Sequence, residues 1–313
     1  GIGIPGPVKN QSIVGFFANF DWERNLNLKE KMEKLSGIET RIENDANIIA
    51  QGEAIFGAAK GKKSSITIAI GTGIGGGIFY NGNLISGMSG AGGEIGHMKV
   101  VKDGKTCGCG QNGCFEAYAS ANSLVKEAKE RLKLNEDNLL FKEINGNLDE
   151  LEAKNIFDAA RKGDEFSKDL IEYESDYLAL GIGNLLNIIN PECIVISGGI
   201  SLAGDEILLP VKEKLKKYLY GNYSERKILS GAIGFAIFAR EEKELFRTIF
   251  LDTTERFEKL YEETLNELLT KQNLLESFPA LEEEEAKKAV NKIWYFLFGY
   301  ATLLCTRLDD NYR

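Results

Sequence analysis

The sequence predicts a mixed α/β protein that passes, near Ser230/Gly231, into an all-helical segment. Three observations carry this. Ser65-Ile-Thr-Ile-Ala-Ile70 is a β-branched apolar run of strand length, followed at once by the glycine-rich stretch Gly71-Thr-Gly-Ile-Gly-Gly-Gly77. A second apolar strand, Cys193–Ile196, ends in Ser197-Gly198-Gly199, and helical periodicity dominates between the two. From about Gly231 glycine nearly disappears, and Phe235, Phe238, Leu245, Phe246, Ile249 and Phe250 recur at helical spacing.

Taken in order, Gly1 to Val8 reads as the end of a strand running into a Gly/Pro turn, which places the natural N-terminus upstream. A loop surrounds Asn19-Phe20-Asp21-Trp22, a helix is expected near Leu28–Leu35, a strand at Glu39–Glu43 and a helix from about Ala46 to Ala59. After the 65–70 strand and its glycines, Ile78-Phe-Tyr80 turns back through Asn81-Gly82, a type I′ hairpin signal, into Leu84-Ile85. Helices follow at Ser123–Leu134, Asn155–Lys162 and Phe166–Ile189, then the Cys193–Ile196 strand. Beyond Gly231, helices are expected at Thr253–Thr270 and Glu282–Leu308, with Pro279 tolerated near the start of the last one. Glu282–Glu285 reads as a solvated first turn favoured by the helix dipole. The expected organisation is therefore residues 1–63, residues 64–230 and a helical domain over 231–313.

The 313 residues suffice for more than one core, and 43% apolar with 27% charged content is ordinary for a globular protein. A net charge of −9 argues against broad binding to nucleic acid or to an anionic membrane. The longest apolar run, Ile293 to Cys305, is about 13 residues, short of the ~20 needed for a membrane span. No basic flank or small-residue cleavage site marks a signal peptide, and free thiols suit a reducing compartment, so a cytoplasmic protein is expected. Cys193 in a strand and Cys305 in a helix read as buried free thiols.

The chemistry gathers in three places. His97 is the only histidine, in Glu94-Ile-Gly-His97, ten positions before Cys107-Gly-Cys109-Gly-Gln-Asn-Gly-Cys114. One imidazole and three thiols form the tetrahedral N/S set of a structural zinc, with Gly108 and Gly110 letting the backbone fold round the ion. Such a zinc has no open position and is not the catalyst. The second place is Glu43-Asn44-Asp45-Ala46-Asn47, where a strand passes into a helix. Asp45 there is either a proton acceptor at a cleft mouth or, like Asn44, a helix cap. The third is the pair of strand-end glycine turns: Gly71, Thr72 and Gly73, and Ser197-Gly198-Gly199, whose backbone N–H groups can approach phosphate. The first turn lacks the Lys-Ser/Thr of a Walker loop, and the hairpin after it rules out a dinucleotide-binding fingerprint. Glu94, His97 and Glu116 together suit a polyhydroxylated ligand, His97 using one ring nitrogen for metal and the other for a ligand hydroxyl.

In their order and spacing, Gly1-Ile-Gly-Ile-Pro-Gly-Pro7, Glu43–Asn47, Gly71–Gly77, Glu94–His97, Cys107–Glu116 and Asn190-Pro191-Glu192 through Gly199 resemble the ROK family of repressors and sugar kinases over about residues 1–230. The Cys-Gly-Cys-Gly form looks most like the family's glucokinases. The resemblance implies an actin-like (ribonuclease H-like) α/β sugar-kinase fold and ATP-dependent phosphorylation of a hexose, glucose to glucose 6-phosphate, a hexokinase/glucokinase-type phosphotransferase. It implies Asp45 as the base, Asn44, Glu94, His97 and Glu116 as sugar ligands, and Gly71–Gly73 against phosphate. Gly198 and Gly199 would lie on the adenosine side, with ATP, Mg²⁺ and a structural Zn²⁺ as cofactors and a homodimer as the expected assembly. The family's first phosphate loop, Asp-x-Gly-Gly-Thr, would precede Gly1, and a chain without it would lose a main anchor for the β- and γ-phosphates.

The helical tail departs from that family. Phe235–Phe246 and Ile293–Leu304 resemble the effector-binding, dimerising part of tetracycline-repressor-family regulators, without that family's N-terminal helix-turn-helix, so no DNA contact is predicted. The chain reads as a join of two partial proteins. A hexose kinase, a sugar-responsive regulator and a zinc-bearing remnant without activity are the readings that the sequence leaves open.

Overall fold

The computed structural model describes residues 1–16 and 23–221 and the backbone of 227–230. The helices expected beyond 231 and the loop around Asn19–Trp22 lie outside the described residues. The chain divides into two compact units that meet at Asn44/Asp45, and each is taken by itself.

In the first unit, strand β1 (Ile2–Ile4) pairs in parallel with β5 (Ile42–Asn44), so that Ile2 lies opposite Ile42 and Ile4 opposite Asn44. Between them β2 (Val8–Lys9), β3 (Ile13–Val14) and β4 (Leu26–Asn27) form an antiparallel meander. Helix α1 (Leu28–Ser36) starts where the Asn27 side chain accepts from the Glu30 N–H. It stops at Gly37, whose φ of 68° is the left-handed C-terminal conformation that glycine adopts without strain. Ile4, Val8, Val14, Leu28 and Ile42 close a small core. The meander strands are two residues each, too short for periodicity to register, and the sequence shows none of them.

The second unit begins with helix α2 (Asp45–Ile55). Its five-stranded sheet contains β6 (Ser64–Ile70), β7 (Ile74–Tyr80), β8 (Asn83–Leu84), β9 (Cys193–Ser197) and β10 (Lys227–Ser230), in the order β10-β9-β6-β7-β8. β6, β9 and β10 run parallel; β7 and β8 are antiparallel additions. The β7–β8 hairpin turns at Asn81 and Gly82, both at positive φ (50° and 80°), as a type I′ turn requires.

Helices α3 (Glu116–Ala119), α4 (Ala121–Leu132), α5 (Leu139–Glu143), α6 (Ala153–Arg161), α7 (Glu165–Ile189) and α8 (Asp205–Leu215) complete the unit. The 25-residue α7 is capped by Asp164, which accepts from Ser167 N–H, and ends at Asn190 in the left-handed region before Pro191. Ile66, Ile68, Ile70, Ile194 and Ile196 face one way into a core with Leu178, Ile182 and Phe115. The opposite face is made of small residues, and α2 lies on it. A Cβ on Gly75 would meet the Ala46 methyl at 2.8 Å, and one on Gly77 would strike Ala50. Gly75–Gly77 are therefore strand, not loop as the composition suggests. Gly75 and Gly77 are glycine because a helix sits directly above them, and Gly76 because Ile95 and the Gly93 carbonyl crowd the other face. The sequence also passes over α8 and β10.

Candidate active site

The packing of α2 on a glycine strand fixes where Asp45 stands. The helix starts at Asp45 itself, whose Oδ1 accepts from its neighbour Ala46 N–H at 2.8 Å while the side chain stays exposed. The capping contact and an outward carboxylate thus coexist. Asn44, one residue earlier, closes β5, and its Nδ2 donates to the Gly6 carbonyl at 3.2 Å within the first unit.

Asp45, His97 and Glu116 all lie within electrostatic reach of Glu94. Glu94 precedes a single 3₁₀ turn, Ile95–His97, that is pinned where Gly96 lies against the Ile74 backbone, an approach no Cβ would permit. Although Glu94 retains solvent contact, its walls desolvate it enough to raise its carboxyl above the usual range. His97 opposes that shift, and the charges of Asp45 and Glu116 reinforce it. Three carboxylates and an imidazole within mutual electrostatic reach form an acceptor-rich cluster.

Glu116, at the start of α3, does more than face a ligand. Its Oε2 accepts from Ile74 N–H at 2.8 Å, and its Oε1 accepts from the Cys107 thiol at 3.4 Å. A side chain on Gly73 would occupy the place of the Glu116 carboxylate, so Gly73 is glycine to admit it. One carboxylate therefore braces the first glycine turn and one arm of the cysteine loop together.

The ligand atoms of His97, Cys107, Cys109 and Cys114 all lie within 4.8 Å of one another. Cys109 and Cys114 sulfurs are 3.7 Å apart, and His97 Nδ1 is 3.8 Å from Cys107 Sγ. Zn–S bonds of about 2.3 Å and Zn–N of about 2.0 Å in a tetrahedron give edges of roughly 3.5–3.8 Å, close to these two separations, so the set fits zinc. With no ion bound, burial pushes the Cys107 thiol up to about 12, a proton that metal binding must displace. Three thiolates and one Zn²⁺ would leave a net negative charge, and Lys99, its Nζ 2.9 Å from Cys114 Sγ, is placed to offset it. The sequence reading missed Lys99. A lysine two residues past the only histidine, in a segment leading to three thiols, was the available signal.

The two glycine turns meet. Gly71 follows β6 and Gly198 follows β9, the adjacent parallel strand. Gly198, at φ 84°, lies against the Ile70 backbone so closely that no side chain would fit. Gly71 N–H donates to the Gly73 carbonyl at 2.9 Å, and the Gly71 carbonyl accepts from Ala121 N–H at 3.0 Å, which ties the turn to α4. Space opens beyond Gly71 and Gly199. Open space beyond the carboxyl ends of parallel strands is where α/β sheets take their ligands. Among the described residues no helix is long and apolar enough to cross a membrane.

The chain is similar to known proteins. The chain matches the ROK family over residues 1–241. It is 39% identical over 225 residues to a glucokinase of Thermotoga maritima, covering 71% of this chain and 70% of that one. It is 34% identical over 221 residues to a xylose repressor of Bacillus spizizenii, covering 70% of this chain and 53% of the repressor. The chain thus spans about 70% of the first relative's length and about half of the repressor's. Among solved structures it is similar to a ROK family glucokinase from Streptomyces griseus in complex with glucose and AMPPNP, with a TM-score of 0.69, 37% identity and 75% and 76% of the two chains covered. It is also similar to a ROK family transcriptional regulator, a homologue of the E. coli MLC protein, with a TM-score of 0.67, 29% identity and 74% and 57% covered. The actin-like sugar-kinase fold of those structures is the fold of this one, and the chain belongs to the ROK family.

Proposed function

We propose that this chain carries the sugar site and catalytic base of an ATP-dependent hexose kinase acting on glucose. The observation that carries the reading is the meeting of Asp45, Glu94, His97 and Glu116 around one point of the unit that also holds both glycine turns. Kinship with the glucokinases of Thermotoga maritima and Streptomyces griseus supports the choice of substrate.

In this reading Asp45 accepts the proton of the sugar 6-hydroxyl, and that oxygen bonds to the γ-phosphorus of ATP as the bond to the β,γ-bridging oxygen breaks and ADP leaves. Glu94 and Glu116 accept from the remaining hydroxyls, and His97, with its other ring nitrogen on zinc, donates to one through its free N–H. Gly71–Gly73 offer backbone N–H groups to phosphate, and Gly198 and Gly199 leave room for the nucleoside. Mg²⁺ bound with the nucleotide would supply charge neutralisation at the transferring group. His97, Cys107, Cys109 and Cys114 hold a zinc whose role is to fix His97 and the loop, since all four of its positions are filled.

Glucose titrated into the full chain, followed by assay of glucose 6-phosphate with ATP and Mg²⁺, tests the proposal. Asp45→Ala should lower turnover by about 10²–10⁴-fold with glucose affinity changed only a few-fold. Lost glucose binding in a folded Asp45→Ala protein would remove Asp45 from the role of base. A second reading, a sugar-responsive regulator, draws on the likeness to xylose repressors. It predicts glucose or xylose binding with no phosphoryl transfer.

A further inference from the structure

The segment from Lys105 to Gly113 is a small hairpin. The Gly113 N–H donates to the Lys105 carbonyl, Thr106 bridges Asn112, and the Cys107 N–H donates to the Gln111 carbonyl. Cys107 and Cys109 ride on its tip, and Lys105 stands at its root. Three side chains from the helical layer grip that root. The Lys105 N–H donates to Tyr118 Oη at 2.7 Å. Its ammonium donates to Glu127 Oε2 at 2.6 Å and to Tyr173 Oη at 2.9 Å. The same Nζ lies 5.3 Å and 5.1 Å from the ring centroids of Tyr118 and Tyr173, within cation–π range.

The clamp is itself braced. Arg131 Nε donates to the other Glu127 oxygen at 2.7 Å, one turn along α4. Its guanidinium also packs 4.9 Å from the Tyr173 ring centroid, while Tyr177 packs tilted against Tyr118 and edge-on to Tyr173. Glu127 is largely shielded from water, where an ion pair that also makes several hydrogen bonds is more than a loose surface contact. None of these groups ligates the cluster, and none belongs to the sugar pocket described above.

We propose that Lys105, held by Glu127, Tyr173 and Tyr118, is a positioning residue that presets the Cys107–Cys109 arm for zinc and thereby sets how long the metal stays. This rests on the zinc reading above. An arm fixed at its root presents two sulfurs in place before the ion arrives, so fewer degrees of freedom are lost on binding. The helices α4 and α7 then share in holding the metal without touching it. Partners of this kind commonly alter metal affinity by about 10–100-fold when removed.

The test uses the full chain loaded with zinc and mixed with an excess of a chromogenic chelator, the rate of zinc release being read directly. Lys105→Met should release zinc about tenfold faster or more, and Lys105→Arg, which keeps a donor for Glu127, should restore most of the retention. Tyr173→Phe removes a single hydroxyl at constant shape and should give a smaller acceleration in the same direction. It keeps the proposal testable if Lys105→Met folds poorly. Leu208→Ala, a core truncation on α8, is the control for general destabilisation. Release rates for Lys105→Met and Tyr173→Phe equal to wild type, or no faster than for Leu208→Ala, would overturn the anchor. A wild-type chain that takes up no zinc would instead overturn the metal centre, and the two failures are distinguished by the same measurement.

Discussion

At the scale of single residues, Glu116 and Cys109 show how the proposed metal and sugar sites would be coupled. Glu116 accepts from both the Ile74 N–H and the Cys107 thiol, so displacement of the cysteine loop would move the carboxylate that braces the first glycine turn. Cys109 is the exposed thiol of the four-ligand set, and its sulfur lies 3.7 Å from that of Cys114. Cys109→Ser is expected to abolish stoichiometric zinc, measured by atomic absorption, and to weaken glucose binding through the freed His97 ring. Unchanged glucose affinity in the metal-free variant would sever that coupling. The grouping of these four side chains, whose ligand atoms lie within 4.8 Å of one another, was legible in the sequence from three cysteines within eight positions of a chain with one histidine. Lys105 was not legible there. A lysine among surface-like neighbours looks solvated until the helices carrying Glu127 and Tyr173 are brought alongside it.

At the scale of elements, the decisive contact is α2 against β7. A glycine normally weakens a strand, since it loses more chain entropy on ordering and packs nothing. Here Gly75 and Gly77 let Ala46 and Ala50 descend onto the sheet, and that approach sets the height of Asp45 above it. Gly77→Ala should cost about 1–3 kcal/mol by overpacking, read as a lower Tm. Ala50→Gly in the same chain should recover part of the loss, because the new methyl then has room. If the double variant is no more stable than Gly77→Ala alone, the helix–strand clash is not the cause. Sequence pattern identified β6 and β9 well, as both are apolar and β-branched, and it found α7 by length and periodicity. It mistook the first half of β7 for loop, since glycine content signals turns unless one knows what packs above. It passed over β10 and the 8–27 meander because runs of two to four residues carry no period to detect.

At the scale of the whole chain, the matched residues share one ROK fold with glucokinases and repressors alike, so the fold by itself does not tell the two apart. Stability has a conspicuous weak point. Glu174, in the middle of α7, is fully buried, and neither carboxylate oxygen has a hydrogen-bond partner among the described residues. Burial raises its carboxyl well above the ordinary value of 4.5, so the fold holds it protonated where the unfolded chain would ionise it. Unfolding then releases a proton. Glu174's contribution is fully present below the unfolded value and declines as pH rises toward the folded one, with a limiting slope of about 1.4 kcal/mol per pH unit. Glu174→Leu removes both the titration and the unpaired oxygens while keeping similar bulk. The variant should melt several degrees higher than wild type at pH 8, at about 2–4 °C per kcal/mol for a unit of this size, and the gap should narrow steadily toward pH 5. A Tm difference that stays constant across that range would mean that Glu174 is not the titrating group, and that its cost to the fold is one of packing alone.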